Sequence, residues 1–415
     1  MRTYRFKLCP TKRQEEVFRQ WLGTTRYVYN LCLEYKKRLY SDHGISLSKH
    51  DIQKELTGVK NDAPWMKEVN AQTLQAVVER LDRAYQGFFR RLTKGETPGF
   101  PRFARKGQWN SFLFKQGIKL IDSTSKVYLP NIGFVRYLRS QEVFGSVKTA
   151  SVKKEASGWY VCLACEADIA PLPMAKEAIG IDLGLKHAVV TSDGEFFDGP
   201  NALGKYALRL TKAQRRLSRK KKGSSNRKKA IVEVARLHER IHNARKDFLH
   251  KTSSRLIHEN QVVIAENLQV SNMMHRCKPK PDEGGEFLLN GQAAKRGLSR
   301  SFGDAGLGML LDMLEYKAQW YGRTFLRVPA HHTSTDCHCC GWRNEELTLA
   351  DREWTCGGCG ARHDRDNNAA QNILARGIGK LKGAEAPLLY LETQTEISKP
   401  ARAGAEEPIH VVSCK

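Results

Sequence analysis

Four cysteines in two pairs constrain this chain more than any other feature. Cys337-x2-Cys340, fifteen residues, then Cys356-x2-Cys359 is a spacing that suits structural zinc. A glycine follows each pair, Gly341 and Gly360, where a metal knuckle turns sharply and wants a positive φ. Four thiolates close a tetrahedral shell and leave no open position for catalysis. One structural Zn²⁺ is therefore expected. His338 and Cys339 lie inside the first knuckle and contend for the metal; the two-residue spacing favours the outer cysteines. Cys162 and Cys165 repeat the spacing inside a strand pattern. Residues three apart on a strand point to opposite faces, so these two read as core. Clustered rather than scattered pairing fits an intracellular chain better than a secreted disulfide framework.

The second constraint is charge. Lys and Arg number 69 against 44 Asp and Glu, a net +25 over 415 residues. That excess implies a polyanionic partner, nucleic acid first. No apolar run approaches the ~18 residues of a spanning helix, and no apolar stretch follows the basic start Met1-Arg-Thr-Tyr-Arg-Phe-Lys-Leu. A membrane partner and a signal peptide are thus not expected; a cytoplasmic, nucleoid-associated location is. Between Lys212 and Lys229 there are ten Lys or Arg and no acid. Arg215, Arg216, Arg219, Lys220, Lys221, Lys222, Arg227, Lys228 and Lys229 are the candidate phosphate contacts there. Ten cations with no compensating anion favour phosphate over a merely solvated face. Arg102 and Lys106 are further candidates, because they interleave with Phe100, Phe103, Trp109, Phe112 and Phe114. For most of those aromatics a core position is the better expectation.

Periodicity sorts the rest into a mixed α/β chain. Tyr4, Phe6 and Leu8 alternate as a strand. Thr11 and Gln14 then open a helix with a capping-box pattern, carrying Val17, Phe18 and Trp21 on one face. A second helix is expected around Tyr27, Val28, Leu31 and Tyr35, and a long one along Leu74, Val77, Val78, Leu81, Tyr85, Phe88 and Leu92. Short strands follow at Val127–Leu129, Phe134–Tyr137 and Trp159–Leu163. Beyond Pro171-Leu-Pro173, strands are expected at Ala178–Asp182, His187–Thr191, Gln261–Glu266 and Thr324–Val328. Residues 204–258 read as a helical hairpin. Its returning arm carries a heptad seam of Ala230, Val234, Leu237, Ile241, Ala244 and Phe248. Asp304 to Tyr321 reads as a helix, and residues 383–415, with three Pro, five Glu and three basic residues, as a disordered tail.

Asp182 and Glu266 each end an apolar strand, and Asp366 stands where a helix N-cap belongs. A carboxylate is a poor choice at a buried strand end unless a cation sits there. Three of them gathered at one sheet edge can hold two Mg²⁺ ions ~3.5–4 Å apart for phosphodiester hydrolysis. Asp364 competes with Asp366, and the helix start favours Asp366.

Several strings together carry a family likeness. They are Gly180-Ile-Asp-Leu-Gly-Leu-Lys-His187, Val263-Ile-Ala-Glu-Asn-Leu268, Leu314-Glu-Tyr-Lys-Ala318 and His363-Asp-Arg-Asp-Asn-Asn-Ala-Ala-Gln-Asn-Ile373, with the four-cysteine ribbon. Upstream, Tyr4-Arg-Phe-Lys-Leu-Cys-Pro-Thr, Arg26-Tyr-Val-Tyr-Asn30, Pro98-Gly-Phe-Pro-Arg-Phe103 and Asn243-Ala-Arg-Lys-Asp-Phe-Leu-His250 extend it. Over residues 1–380 the chain resembles the TnpB (OrfB) proteins of insertion sequences, compact relatives of type V CRISPR effector nucleases. The resemblance implies an RNase H-like (RuvC-type) nuclease domain with Asp182, Glu266 and Asp366 as its triad. It implies an N-terminal wedge-like β-barrel (1–10 and 96–175) carrying a helical recognition insert (11–95). The nuclease domain would occupy 176–334, including the basic hairpin 204–258, with the zinc ribbon at 335–362 and a last nuclease segment at 363–382. It also implies a guide RNA from the element's end, and cleavage of double-stranded DNA beside a short motif. A catalytically silent nucleic-acid-binding repressor and a DNA-joining transposase are the alternatives.

Overall fold

The computed structural model describes residues 1–348 and 350–383. Beyond Gly383, the tail expected over 383–415 lies outside them. The described residues divide into two compact units, 1–168 and 169–383.

In the first unit β1 (Arg2–Cys9) leads into α1 (Lys12–His43), α2 (Lys49–Asp62) and α3 (Ala71–Thr93). Then come β2 (Ser111–Phe114), β3 (Lys119–Ile121), β4 (Lys126–Leu129), β5 (Gly133–Leu138), β6 (Ser146–Glu155) and β7 (Gly158–Glu166). Among the described residues these strands form one antiparallel sheet in the order β2-β6-β7-β1-β5-β4-β3. Tyr4, Phe6 and Leu8 point into its core, as the alternation on β1 requires. The apolar stripe of α1 meets them: Phe18 lies 4.9 Å from the Trp159 ring and Trp21 5.5 Å from Phe112. Trp109, Phe112 and Phe114 are buried, whereas Phe100 and Phe103 stay exposed near the Lys37 ammonium. Asn30 clamps the stretch that follows, accepting from Ala104 N–H at 2.7 Å and donating to its carbonyl at 3.1 Å. Arg102 and Lys106 are thereby presented outward.

Two local expectations change here. One helix, α1, spans both of the segments read separately. Gly23 alone costs only ~1 kcal/mol, and Thr25 returns its hydroxyl to the Trp21 carbonyl at 2.7 Å instead of breaking the turn. The helix α2 was not visible in the pattern because only Ile52 and Leu56 of its residues are buried.

The second unit begins with β8 (Lys176–Asp182), β9 (Val189–Thr191) and β10 (Phe196–Phe197), then α4 (Ala202–Ser218) and α5 (Ser225–Glu259). It continues with β11 (Asn260–Glu266), α6 (Val270–Met273), α7 (Gln292–Ala305), α8 (Leu307–Tyr321) and β12 (Thr324–Val328). It closes with β13 (Glu353–Thr355), β14 (Arg362–Asp364) and α9 (Arg365–Gly383). The main sheet runs β10-β9-β8-β11-β12, with β8, β11 and β12 parallel. Parallel strands covered on both faces read as continuous apolar runs, which β8 and β11 do. One face, through Ile179, Ile181, Val263 and Ala265, packs on Leu249 and Leu256 of α5 and Leu310 and Leu314 of α8. The other face, through Ile264 and Val328, meets Ile373 of α9.

The approach of α9 is very close. A Cβ on Gly180 would lie 2.2 Å from the Ala370 carbonyl oxygen, and one on Gly377 would lie 2.3 Å from Ile264. Glycine is the residue that lets a backbone come so near. Elsewhere α4 and α5 form the expected hairpin, with Leu210 and Ala213 against Leu237 and Ile241. The helix expected from Asp304 starts later, at Leu307, after Gly306 at φ +70°. Asp304 instead ends α7's last turn; its carboxylate accepts from Leu203 N–H at 3.0 Å and pairs with Arg245 at 3.0 Å.

Gly180→Ala is expected to destabilise the protein by about 1–3 kcal/mol through overpacking. Gly379→Ala, on the same helix as Gly377 with nothing within 4 Å of its Cβ, should stabilise by up to about 1 kcal/mol through helix propensity. Denaturant unfolding of both variants checks the sign of each.

Candidate functional site

Side chains on adjacent parallel strands stand beside each other at the strand ends. Ile181 on β8 is paired with Ala265 on β11, so the next residues, Asp182 and Glu266, fall side by side. They share the face of Gly180 and Ile264, two residues back, because strand side chains alternate. That is the face covered by α9. Ala370 meets Gly180, and Asp366 lies one helical turn before Ala370, toward the strand ends.

Burial and neighbouring charge both act on these carboxylates. Burial pushes the Asp182 carboxyl up to about 7, aided by the negative charges of Glu266 and Asp366 and opposed by the Leu183 N–H and the Arg365 charge. Burial also raises Glu266, against the Thr333 hydroxyl it accepts and the nearby Arg376 charge. Asp366 is ion-paired to Arg352 at 3.2 Å and to Arg365 at 3.4 Å. The helix start is corrected in one detail: Asp364, not Asp366, does the capping, accepting the Asn367 N–H at 2.9 Å. Asp366 sits in the first turn with its carboxylate free of that duty. An all-oxygen donor set of anions suits a hard cation such as Mg²⁺. Thr333, Arg352, Arg365 and Arg376 were missed by sequence reading. Arg365 and Arg376 carried a local sign, lying one residue before and ten residues after Asp366 on the same helix.

The thiolates converge more tightly. The Sγ atoms of Cys337, Cys340, Cys356 and Cys359 all lie within 4.8 Å of one another, a set that can hold a zinc ion. Among the described residues no carboxylate belongs to a set so compact. The two knuckles repeat one pattern. Gly341 N–H donates to the Cys337 carbonyl at 2.8 Å and Gly360 N–H to the Cys356 carbonyl at 2.9 Å. Both glycines have positive φ, +78° and +72°. A second set, Cys337, Cys339 and His363, is also within reach of one ion. His363 is buried between the His338 and Trp354 rings, its Nε2 3.1 Å from Cys337 Sγ. Cys339 is exposed, and the repeated knuckles favour the four outer thiolates with His363 donating to one of them.

The ribbon and the carboxylates share a scaffold. Asn368 on α9 accepts from His338 N–H at 3.0 Å and donates to the Asp336 carbonyl at 2.8 Å. Asn372 donates to the Thr333 and Asp336 carbonyls at 2.8 and 2.6 Å.

Of the basic residues, Lys212, Arg215, Arg216, Arg219 and Lys220 line one groove of about 410 Å³ along α4. Lys221, Lys222, Lys228 and Lys229 stand exposed at the hairpin tip. Arg227 serves the fold, donating to the Leu217 and Lys220 carbonyls at 3.0 Å each. Arg216 is paired to Glu233 at 2.9 Å. Among the described residues, no helix is long and apolar enough to cross a membrane.

Comparison with known proteins adds the following. The family described as OrfB_IS605, "Probable transposase", matches residues 160–276. One described as "Cas12f1-like, TNB domain" matches 308–373. One described as "Helix-turn-helix domain" matches 1–44, where the chain forms β1 and the single helix α1. The chain is 33% identical to the "Putative RNA-guided DNA endonuclease InsQ" of Escherichia coli K12, covering 93% of this chain and 94% of the relative. It is 34% identical to a "Putative RNA-guided DNA endonuclease" of Streptomyces pristinaespiralis, covering 98% and 96%. A solved Cas12f1–sgRNA–target DNA complex contains a similar fold, with a TM-score of 0.50 at 15% identity over 88% of this chain and 83% of that one.

Two outcomes are expected. Because the Asp182 carboxyl sits up at about 7, protons compete with a cation below that pH. Divalent-ion affinity should then rise about tenfold per pH unit below 7 and level off above it. Asp182→Asn should flatten the profile, and calorimetric titration at several pH values reads both. At the thiolates, Cys356→Ser should lose zinc and Cys339→Ser should keep it. His363→Ala should weaken retention roughly 10–100-fold, the effect of losing a partner of a ligand, as measured by chelator competition.

Proposed function

Because the chain belongs to the TnpB (OrfB) family, we propose that it acts as an RNA-guided DNA endonuclease of the kind its relatives are named for. In this reading the second unit is an RNase H-like, RuvC-type nuclease, and the first is a wedge-like barrel with a helical recognition insert. A guide RNA from the element's end reads the target by base pairing, while the protein reads a short adjacent motif and the backbone. The substrate is double-stranded DNA.

Asp182, Glu266 and Asp366 would hold two Mg²⁺ ions. The chemistry such ions supply when bound is charge stabilisation at the phosphodiester and a nucleophilic water at neutral pH. The other residues have supporting tasks. Thr333 donates to Glu266 and fixes its carboxylate. Arg352 and Arg365 hold Asp366 in place. The cationic groove of α4 and the hairpin tip would take nucleic-acid phosphates. The cysteine cluster would hold one Zn²⁺ and fix the segment that carries Thr333.

The observation that supports this reading most is electrostatic. The Asp182 carboxyl is pushed up to about 7 by burial and by the two other carboxylates of the set. Such a cluster is destabilised as it stands and favours a bound cation.

Guide-loaded protein, purified together with RNA from its own locus, tests it on double-stranded targets. Asp182→Ala should reduce cutting at least about a thousandfold, since several kcal/mol of charge stabilisation are lost. RNA and DNA retention should stay near wild type. Undiminished cutting by this variant would overturn the carboxylate assignment.

A further inference from the structure

The loop between α6 and α7 has no part in the roles above, yet with α7 it forms an open cavity of about 730 Å³ at the surface. That is within the size range of ligand sites, ~300–1,000 Å³. Met274, Arg276, Lys280, Phe287 and Leu288 line it together with Arg296 of α7. The walls are built by hydrogen bonds. Pro281 and Phe287 bridge the two arms of a hairpin, and Leu288 N–H donates to the Lys280 carbonyl at 2.8 Å. The loop is tied to the start of α7 where Gln292 accepts the Cys277 N–H at 2.9 Å, and is cross-braced by Asn290 donating to the Lys278 carbonyl at 2.8 Å.

Its lining chemistry is one-sided. Three cations face the cavity and no carboxylate lines it. Among the described residues none of the three is in an ion pair. Phe287 is 77% exposed and Leu288 55%, so an aromatic face stands ready beside the cations. A ligand that satisfies both needs a planar apolar surface next to an anion, which is a nucleotide. In a duplex both faces of a base are covered by its neighbours, so only an unpaired base can stack on Phe287. Met274 stands eight residues after Glu266 in the chain, with α6 between them.

We propose that this cavity holds an unpaired nucleotide of single-stranded DNA, its base on Phe287 and its phosphates at Arg276, Lys280 and Arg296. The proposal rests on the endonuclease reading only for naming the strand as DNA.

The test uses the full chain and a single-stranded DNA 12-mer carrying 5-iodouracil, cross-linked by light and mapped to peptides. Cross-links are expected within 274–299. Phe287→Ala, a change at an exposed side chain, should lower both cross-linking and affinity about tenfold. Leu289→Ala should change neither, because Leu289 is fully exposed and does not line the cavity. Replacing Arg276 and Arg296 by Gln should reduce the salt slope of binding by roughly 0.7 for each phosphate no longer neutralised. Cross-links confined to 212–229, or a Phe287→Ala variant that binds like wild type, would overturn the site. Preferential cross-linking of the same sequence as RNA would overturn the DNA assignment. Guided cutting by the same preparation is scored separately. Cutting without a 274–299 cross-link sinks the cavity alone; the cross-link without cutting sinks the endonuclease reading and leaves the cavity standing.

Discussion

Mutual repulsion among Asp182, Glu266 and Asp366 is what the second unit has to be built against. Two of the three stand on neighbouring strands, roughly 4.8 Å apart by the spacing of any sheet. The third arrives on α9, and nothing about its own charge would bring it there. The close seat of that helix on β8 and β11 does so, through Gly180 and Gly377. Apolar burial at Ala369, Ala370 and Ile373 supplies the attraction. Arg365 lowers the Asp182 carboxyl and Arg376 the Glu266 one, but burial, joined at Asp182 by the neighbouring carboxylates, outweighs them and leaves Asp182 shifted toward its neutral form.

The string from Asp366 to Ile373 is dense because each residue has a separate task. Its apolar members face the sheet. Asn367 and Gln371 donate to the Thr191 and Ser192 carbonyls at the end of β9. Asn368 and Asn372 reach the opposite way, to the segment 333–338 that leads into the first knuckle. Buried backbone carbonyls need donors, and these four side chains supply them on two sides of one helix. Zinc in the knuckles would therefore do more than close the ribbon. It would hold Asp336 and Thr333 where α9 finds them, and Thr333 is the partner of Glu266.

How much of this was legible in the sequence follows from how local each signal is. The strands at 178–182 and 261–266 were legible because strands buried on both faces are uninterrupted apolar runs. The α4–α5 hairpin was legible from its heptad seam, and the ribbon from its spacing and its two glycines. The helix α7 was not, because Phe302 is its one buried side chain and a helix with so little apolar face leaves no period to read. The partners of the carboxylates were invisible for a different reason. Thr333 meets Glu266 across 67 residues of chain, and Arg352 meets Asp366 only through the pairing of the three-residue strands β13 and β14, which are too short to leave a period. Arg227 shows the same limit in reverse. Its sequence context is that of a phosphate contact, yet its guanidinium holds the end of α4.

The two donor sets differ in a way their chemistry explains. Thiolates that close a shell around a soft ion must be complete without help, so the fold brings all four within a single ion's reach. A carboxylate set that serves a reaction must leave positions open for water and for the phosphodiester. Looser spacing of Asp182, Glu266 and Asp366 is then a requirement of the chemistry proposed for them rather than a defect of their gathering. The raised Asp182 carboxyl reflects burial first, and then the charge that the neighbouring carboxylates leave at the sheet edge. A tightly closed oxygen cage would be the better ion trap, and it would have no place left for a strand of nucleic acid.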